Sequence, residues 1–227
     1  MDPYRVIEIK QNIFGRNDKQ ANLLRENLKQ KQTFLLNLMS SPGSGKTTTV
    51  LRTIEALREE MNIGVIEADI DSDVDARTVA QTGVKVIQLH TGGMCHLDAG
   101  MTRQGLEELG TDGLDFVILE NIGNLVCPAE FDTGASRNAM ILSVPEGDDK
   151  PLKYPLMFSM VDVLLINKID AMSLFDFDID AVKARVQQLN PKIKVIPISA
   201  RTGEGIEEWT GWLRGEIKDW KNAGQNS

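Results

Sequence analysis

The chain has 227 residues, 41% of them hydrophobic and 26% charged, with a formal net charge of −8. That length suits one large domain with its own core and a short appendage. The acidic balance and the lack of a Lys/Arg block argue against nucleic acid or an anionic membrane as partner. No apolar run is long enough to cross a bilayer and the N-terminus lacks a signal-peptide core, so a cytoplasmic location is expected. Two cysteines do not make a disulfide framework.

In chain order, "NDKQANLLRENLKQKQ" reads as an amphipathic helix within an N-terminal extension, residues 1–32. "FLLNLM" (34–39) reads as a buried strand and "TTTVLRTIEALREEM" (47–61) as a helix with Val50, Leu51, Ile54 and Leu57 on one stripe. Strands follow at 63–69, 84–90, 115–120, 138–144, 161–168 and 193–199. Helices are expected near 73–82, 97–109, 178–189 and 204–221. Between the fourth and fifth strands "NIGNLVCPAEFDTGASR" (121–137) reads as one long loop, a length usually kept for function. Apolar strands alternating with helices predict an α/β, doubly wound, mostly parallel sheet over residues 33–221, with ligands at the carboxyl ends of the strands. Residues 222–227 read as a flexible tail.

"SSPGSGKTTT" (40–49) joins the first strand to the first long helix. Gly43, Ser44, Gly45, Lys46, Thr47 and Thr48 form the end of a phosphate-binding loop. Glycines turn amides toward a β-phosphate, Lys46 reaches the β/γ-phosphates, and the Thr47 hydroxyl suits Mg²⁺. Ser40 replaces the first glycine of the strict pattern. "INKID" (166–170) ends a later strand. There Asp170 can accept from the N1–H and 2-amino groups of guanine, an edge adenine lacks. Asn167 is expected on the other edge of the base and Lys168 over the ring. In "ISARTG" (198–203) the amides of Ser199 and Ala200 are expected to meet the guanine oxygen. Together these motifs select GTP over ATP, against the rival of a nucleotide kinase. Asp69 and Glu120 end strands beside the phosphate loop and suit Mg²⁺. Gly123, in "ENIG", is a candidate γ-phosphate sensor, and Asp75 a candidate for orienting the attacking water.

One cysteine and one histidine adjoin in "GGMCHLDAG" (92–100), and the other cysteine is Cys127. Cys95, His96 and Cys127 each follow a strand end, taken as adjoining strands. Two thiolates and an imidazole suit Ni²⁺ or Zn²⁺. Packing is the alternative, since an isolated Cys often acts as a small hydrophobe. His90, at a strand end, reads as packing or loop support.

The chain resembles the HypB family, the GTPases of nickel insertion in [NiFe]-hydrogenase maturation. The resemblance covers about residues 33–221 and rests on "SSPGSGKTT", "TGGMCHLDA", "ENIGNLVCPAEFD", "SVPEGDDKPLKYP", "INKID" and "ISARTGEG". The related urease-accessory G proteins look different, carrying Cys-Pro-His in one short motif. The resemblance implies a P-loop NTPase fold of the SIMIBI-type G domain, slow GTP hydrolysis to GDP with Mg²⁺, and nickel or zinc at Cys95, His96 and Cys127. It further implies a GTP-favoured homodimer in which Lys153 reaches the partner subunit's guanine. The implied partners are a HypA-type nickel chaperone and the hydrogenase large-subunit precursor. Many family members carry an N-terminal cysteine motif or histidine-rich run. Residues 1–32 have neither Cys nor His, so nickel storage by such a tail is not expected. A nickel or zinc carrier in which GTP only controls assembly is the rival from another class.

Overall fold

The computed structural model describes residues 9–69 and 74–225, with side chains from 15 to 69 and 74 to 224. Seven strands form one sheet: β1 (Phe34–Ser40), β2 (Ile63–Asp69), β3 (Lys85–His90), β4 (Phe116–Glu120), β5 (Arg137–Ser143), β6 (Val163–Asn167) and β7 (Lys194–Pro197). Their order is β3-β2-β4-β1-β5-β6-β7, and every pairing is parallel. This is the doubly wound sheet expected from the apolar runs.

Strand pleating sorts one run of residues onto two faces. Leu36 and Leu38 of β1 join Ile118 of β4 against Val50, Ile54 and Leu57 of α2 (Lys46–Leu57) and Trp209 and Leu213 of α9 (Ile206–Gln225). Leu35 and Val117 point the other way, to Leu24 and Leu28 of α1 (Ile9–Gln30) and Leu106 and Leu109 of α4 (Ala99–Leu109). Burying both faces explains why the strands read as continuous apolar runs. Trp209 is fully buried and its indole nitrogen donates to Thr53 Oγ1 at 2.9 Å, so its polar edge costs little inside the core. A third cluster, under β5 and β6, takes Met157 and Phe158 of α7 (Pro155–Ser159) and Val182 and Val186 of α8 (Ile179–Leu189).

The structure departs from the sequence reading in several places. The expected long loop contains a helical turn, α5 (Cys127–Glu130), opened by Pro128. A 3₁₀ turn at Val144–Glu146 and the short helices α6 (Lys150–Lys153) and α7 follow β5, where no element was expected. Helix α9 runs on to Gln225, so 222–225 continue the helix rather than fray into a tail; residues 226–227 lie outside the described residues. The helix expected near 73–82 is α3 (Val74–Ala80), its first expected residue also lying outside them. Extension helix α1 is integral to the domain: it packs on the sheet and against α4, and Trp220 of α9 donates to Thr33 O just beyond it.

Candidate functional site: a nucleotide cavity beside a Cys–His–Cys cluster

β1 lies between β4 and β5, and the turn after its last residue closes over its carboxyl end. Gly43 and Gly45 take left-handed backbone (φ +74° and +98°), which reverses the chain before α2 begins at Lys46. Ser40 closes the turn from below. Its buried hydroxyl oxygen receives hydrogen bonds from Ser44 Oγ at 2.6 Å and Lys46 Nζ at 3.1 Å. The residue that breaks the strict glycine pattern thus holds the lysine over the turn.

A cavity of about 600 Å³ opens above this turn, lined by Gly43, Gly45, Lys46, Thr47, Thr48, Asp69, Asp75, Glu120, Gly123 and Lys168 among others. The structure thereby brings together residues from α2, β2, α3 and β4, and from the turns that follow β1, β4 and β6, that the sequence reading assigned to one site. Gly123 lies against the turn itself: a Cβ there would stand 3.0 Å from the Pro42 backbone nitrogen. Ser44 is buried under the loop.

Sequence reasoning missed one carboxylate. Glu67 of β2 stands in register with Glu120 of β4, and both are buried. Burial pushes Glu67 up to about 10, with the neighbouring Glu120 adding to the rise. Burial also lifts Glu120, to about 7, while Lys46 pulls it back. Thr47 Oγ1 donates to Glu120 Oε1 at a long 3.5 Å, whereas Glu120 Oε2 and Glu67 Oε1 have no hydrogen-bond partner. Orphaned buried carboxyl oxygens beside a threonine hydroxyl suit a hard divalent cation, so these residues fit Mg²⁺. The signal for Glu67 was available: a glutamate inside an otherwise apolar buried strand.

The base-side motif is built as a brace. Asn167 donates from Nδ2 to Ser44 O at 2.9 Å and accepts from the Ala200 amide at 3.0 Å. Lys168, in left-handed backbone, reaches across to Gly43 O at 2.6 Å. Ser199 Oγ donates to Asp170 Oδ1 at 2.6 Å, which orients that carboxylate. The Ser199 amide donates to Glu204 O. The two amides and the Asn167 side chain that were expected against guanine are therefore engaged within the protein. The other carboxylate oxygen of Asp170, Oδ2, lies 3.8 Å from the Arg201 guanidinium. Lys153 does not line the cavity; it is exposed on α6 with its ammonium 2.5 Å from Asp149 Oδ2.

The second cluster lies on two loops. Cys95 and His96 follow β3, and Cys127 opens α5 after β4. These strands are not neighbours, because β2 lies between them; the loops, not the strands, converge. Ligand atoms of the three side chains all lie within 4.8 Å of one another, with Cys95 Sγ 2.8 Å from Cys127 Sγ. The His96 ring stacks on Phe131 (centroids 3.8 Å apart, planes 12° apart), and its buried Nδ1 has no partner. Burial lowers the imidazole pKa, with Asp98 and Glu130 opposing, so the ring tends toward the neutral, ligating form. The hydrogen bond from Cys95, then burial, raises the Cys127 thiol. Two sulfurs and an orphaned imidazole nitrogen form a soft donor set of the kind that takes Ni²⁺ or Zn²⁺. His90 pairs in register with Asp69 at the strand end and is not part of the cluster.

An all-parallel sheet with a glycine-turned phosphate loop at its central strand defines a P-loop nucleotide-binding protein. At the level of fold, the signal recognition particle 54 kDa protein from Aeropyrum pernix K1, solved with GDP, superposes with a TM-score of 0.56 at 13% identity over 99% of this chain and 58% of that one. Residues 34–197 match the CobW/HypB/UreG nucleotide-binding domain. The chain is 48% identical over 211 residues to the hydrogenase maturation factor HypB of Azotobacter chroococcum mcd 1, covering 92% of this chain and 68% of that one. It superposes on HypB from Helicobacter pylori, solved in complex with nickel, with a TM-score of 0.84 at 37% identity over 90% of this chain and 96% of that one. The chain belongs to the HypB family of hydrogenase maturation factors.

Proposed function

We propose that this protein is a Mg²⁺-dependent GTPase that uses GTP binding and hydrolysis to control delivery of nickel during hydrogenase maturation. The observation that carries the reading is the span from Glu120 to Cys127. In eight residues of chain it runs from the nucleotide cavity, past Gly123 against the phosphate loop, to the thiol cluster. A shift at the γ-phosphate end therefore has a short covalent path to the metal end.

In the reaction, water attacks the γ-phosphate of GTP, and the bond to the β,γ-bridging oxygen breaks to give GDP and phosphate. Lys46 and the loop amides stabilise the charge that develops on the phosphate oxygens. Asp75, exposed at the start of α3 and lining the cavity, orients the water. Thr47, Asp69 and Glu120 are the residues that would hold Mg²⁺, with Glu67 behind Glu120. When bound, Mg²⁺ offsets negative charge on the phosphates. Asp170 reads guanine. Cys95, His96 and Cys127 hold the cargo ion, with nickel favoured by the nickel complex of the H. pylori relative and zinc as the competing ion.

GTP favours a homodimer in this account, with Lys153 reaching the partner subunit's base. A HypA-type nickel chaperone and the hydrogenase large-subunit precursor are the protein partners, in the cytoplasm. Among the described residues no helix is long and apolar enough to cross a membrane. The testing experiment is size-exclusion chromatography with metal analysis, run with GDP and with a non-hydrolysable GTP analogue. The account expects a nickel-bearing dimer with the analogue; equal mass and equal metal content in both states would overturn it. Lys46→Ala separates the carrier reading: normal nickel delivery in cells by that variant would show that hydrolysis is not needed.

A further inference from the structure

Helix α1 touches both loops that carry the Cys–His–Cys cluster. Asn17 is buried, although it lies in a mostly polar helix. Its Oδ1 accepts from the Ala99 amide at 3.0 Å, three residues past His96. Its Nδ2 donates to Asp132 O at 2.9 Å, one residue past Phe131, whose ring stacks on His96. One amide side chain thus bridges two segments that are far apart in sequence and each end in metal-ligating residues. Two turns along α1, Arg25 clamps the Asp132 carboxylate from one amino group at 2.7 and 2.9 Å and the Ala135 carbonyl from Nε at 3.0 Å. Contact on both sides is close. A Cβ on Gly134 would stand 2.9 Å from Leu24 Cδ2, and one on Gly100 would stand 3.5 Å from Gln20 Oε1.

We infer that Asn17 is a positioning residue of the metal site, setting the separation of the Cys95–His96 loop from the Cys127–Phe131 segment. The inference rests on the reading of Cys95, His96 and Cys127 as a metal site. The physical reason is the geometry of the ligands. β2 separates the two parent strands, so no direct strand pairing fixes the distance between the loops. Among the described hydrogen bonds, Asn17 alone joins the segment just after His96 to the segment just after Phe131 with a single side chain. A residue that orients metal ligands from outside the coordination sphere typically changes metal affinity about 10–100-fold when removed. The N-terminal helix is then part of the cargo site although it carries no ligand.

The test uses the full chain at a temperature well below the melting point of the unchanged protein. Nickel affinity and the Ni²⁺–thiolate charge-transfer band are measured beside affinity for a fluorescent GDP analogue, in Asn17→Ala, Asn17→Asp and Cys95→Ala. The expected result is a nickel affinity at least tenfold weaker and an altered band in Asn17→Ala, with nucleotide affinity unchanged. Asn17→Asp, which keeps the acceptor for Ala99 but loses the donor to Asp132, should fall between, and it decides the matter by the same measures if the alanine variant does not fold. Nickel affinity and band both as in the unchanged chain would overturn the role of Asn17. Parallel loss of nucleotide binding would also overturn it, marking a general structural defect. Cys95→Ala tests the underlying reading separately: a band that survives there means that the cluster is not the metal site, whatever Asn17 does.

Discussion

Asn167 stands 2.5 Å from where a Cβ on Gly45 would be, with its Nδ2 already donating to Ser44 O. That bond ties the phosphate loop to the carboxyl end of β6. Gly45→Ala would face that contact and a φ of +98°, where a side chain costs about 1–2 kcal/mol. The expected outcome is at least a tenfold loss of GDP affinity in a fluorescent-nucleotide titration. Unchanged affinity would mean that the brace is not needed.

Lys46 sits over the loop with Ser40 Oγ at 3.1 Å and lines the cavity. Lys46→Ala should lower GTP hydrolysis on the order of 100-fold or more, the scale of removing one charge-stabilising donor. Phosphate-release assays at saturating nucleotide measure this. Ser40→Ala should keep the fold and lose a smaller part of the rate, since it removes the support and leaves the ammonium.

Asp170 is held at Oδ1 by Ser199 Oγ at 2.6 Å. Asp170→Asn replaces an acceptor for the guanine 2-amino group by a donor. GTP affinity should fall on the order of 100-fold, as charge-assisted bonds are lost, and XTP, with a carbonyl at that position, should gain. Competition titrations with GTP, XTP and ATP read the change, and retained GTP preference would count against the assigned role.

Glu67 provides a test on stability in metal-free buffer. Its folded pKa is raised to about 10 by burial and by Glu120, so the folded state binds this proton more tightly than the unfolded chain does. The stability it contributes is full below the ordinary glutamate value and declines as pH rises toward the folded one. Glu67→Gln removes that titration. Its melting temperature relative to the unchanged chain should sit near zero difference or below at pH 5 and climb toward pH 9. A difference that is flat with pH would place Glu67 outside the buried carboxyl pair.

The sheet and its long helices were legible in the sequence because burial on both faces writes each strand as an apolar run, as in "FLLNLM". The phosphate loop was legible because Gly43 and Gly45 are needed for left-handed backbone. The order of strands was not: nothing local in β3 or β4 records that β2 comes between them. Helices α5, α6 and α7 span four or five residues each, too short for a periodic pattern, and rest on proline starts and tertiary packing. Glu67 escaped because a lone acid in a strand reads as a break in the apolar run, and its meaning comes from Glu120 on the neighbouring strand. The bridging by Asn17 escaped for the same reason, since both partners lie more than eighty residues away.

The central claim is that nucleotide state and metal state are linked through the Glu120–Cys127 segment. Calorimetric titration of Ni²⁺ into the protein loaded with GDP, and then with a non-hydrolysable GTP analogue, tests it most directly. The account predicts nickel affinities that differ between the two states by roughly 5- to 150-fold, the usual range of coupling between sites, with the difference lost in Cys127→Ala. Equal nickel affinity in the two states would contradict it.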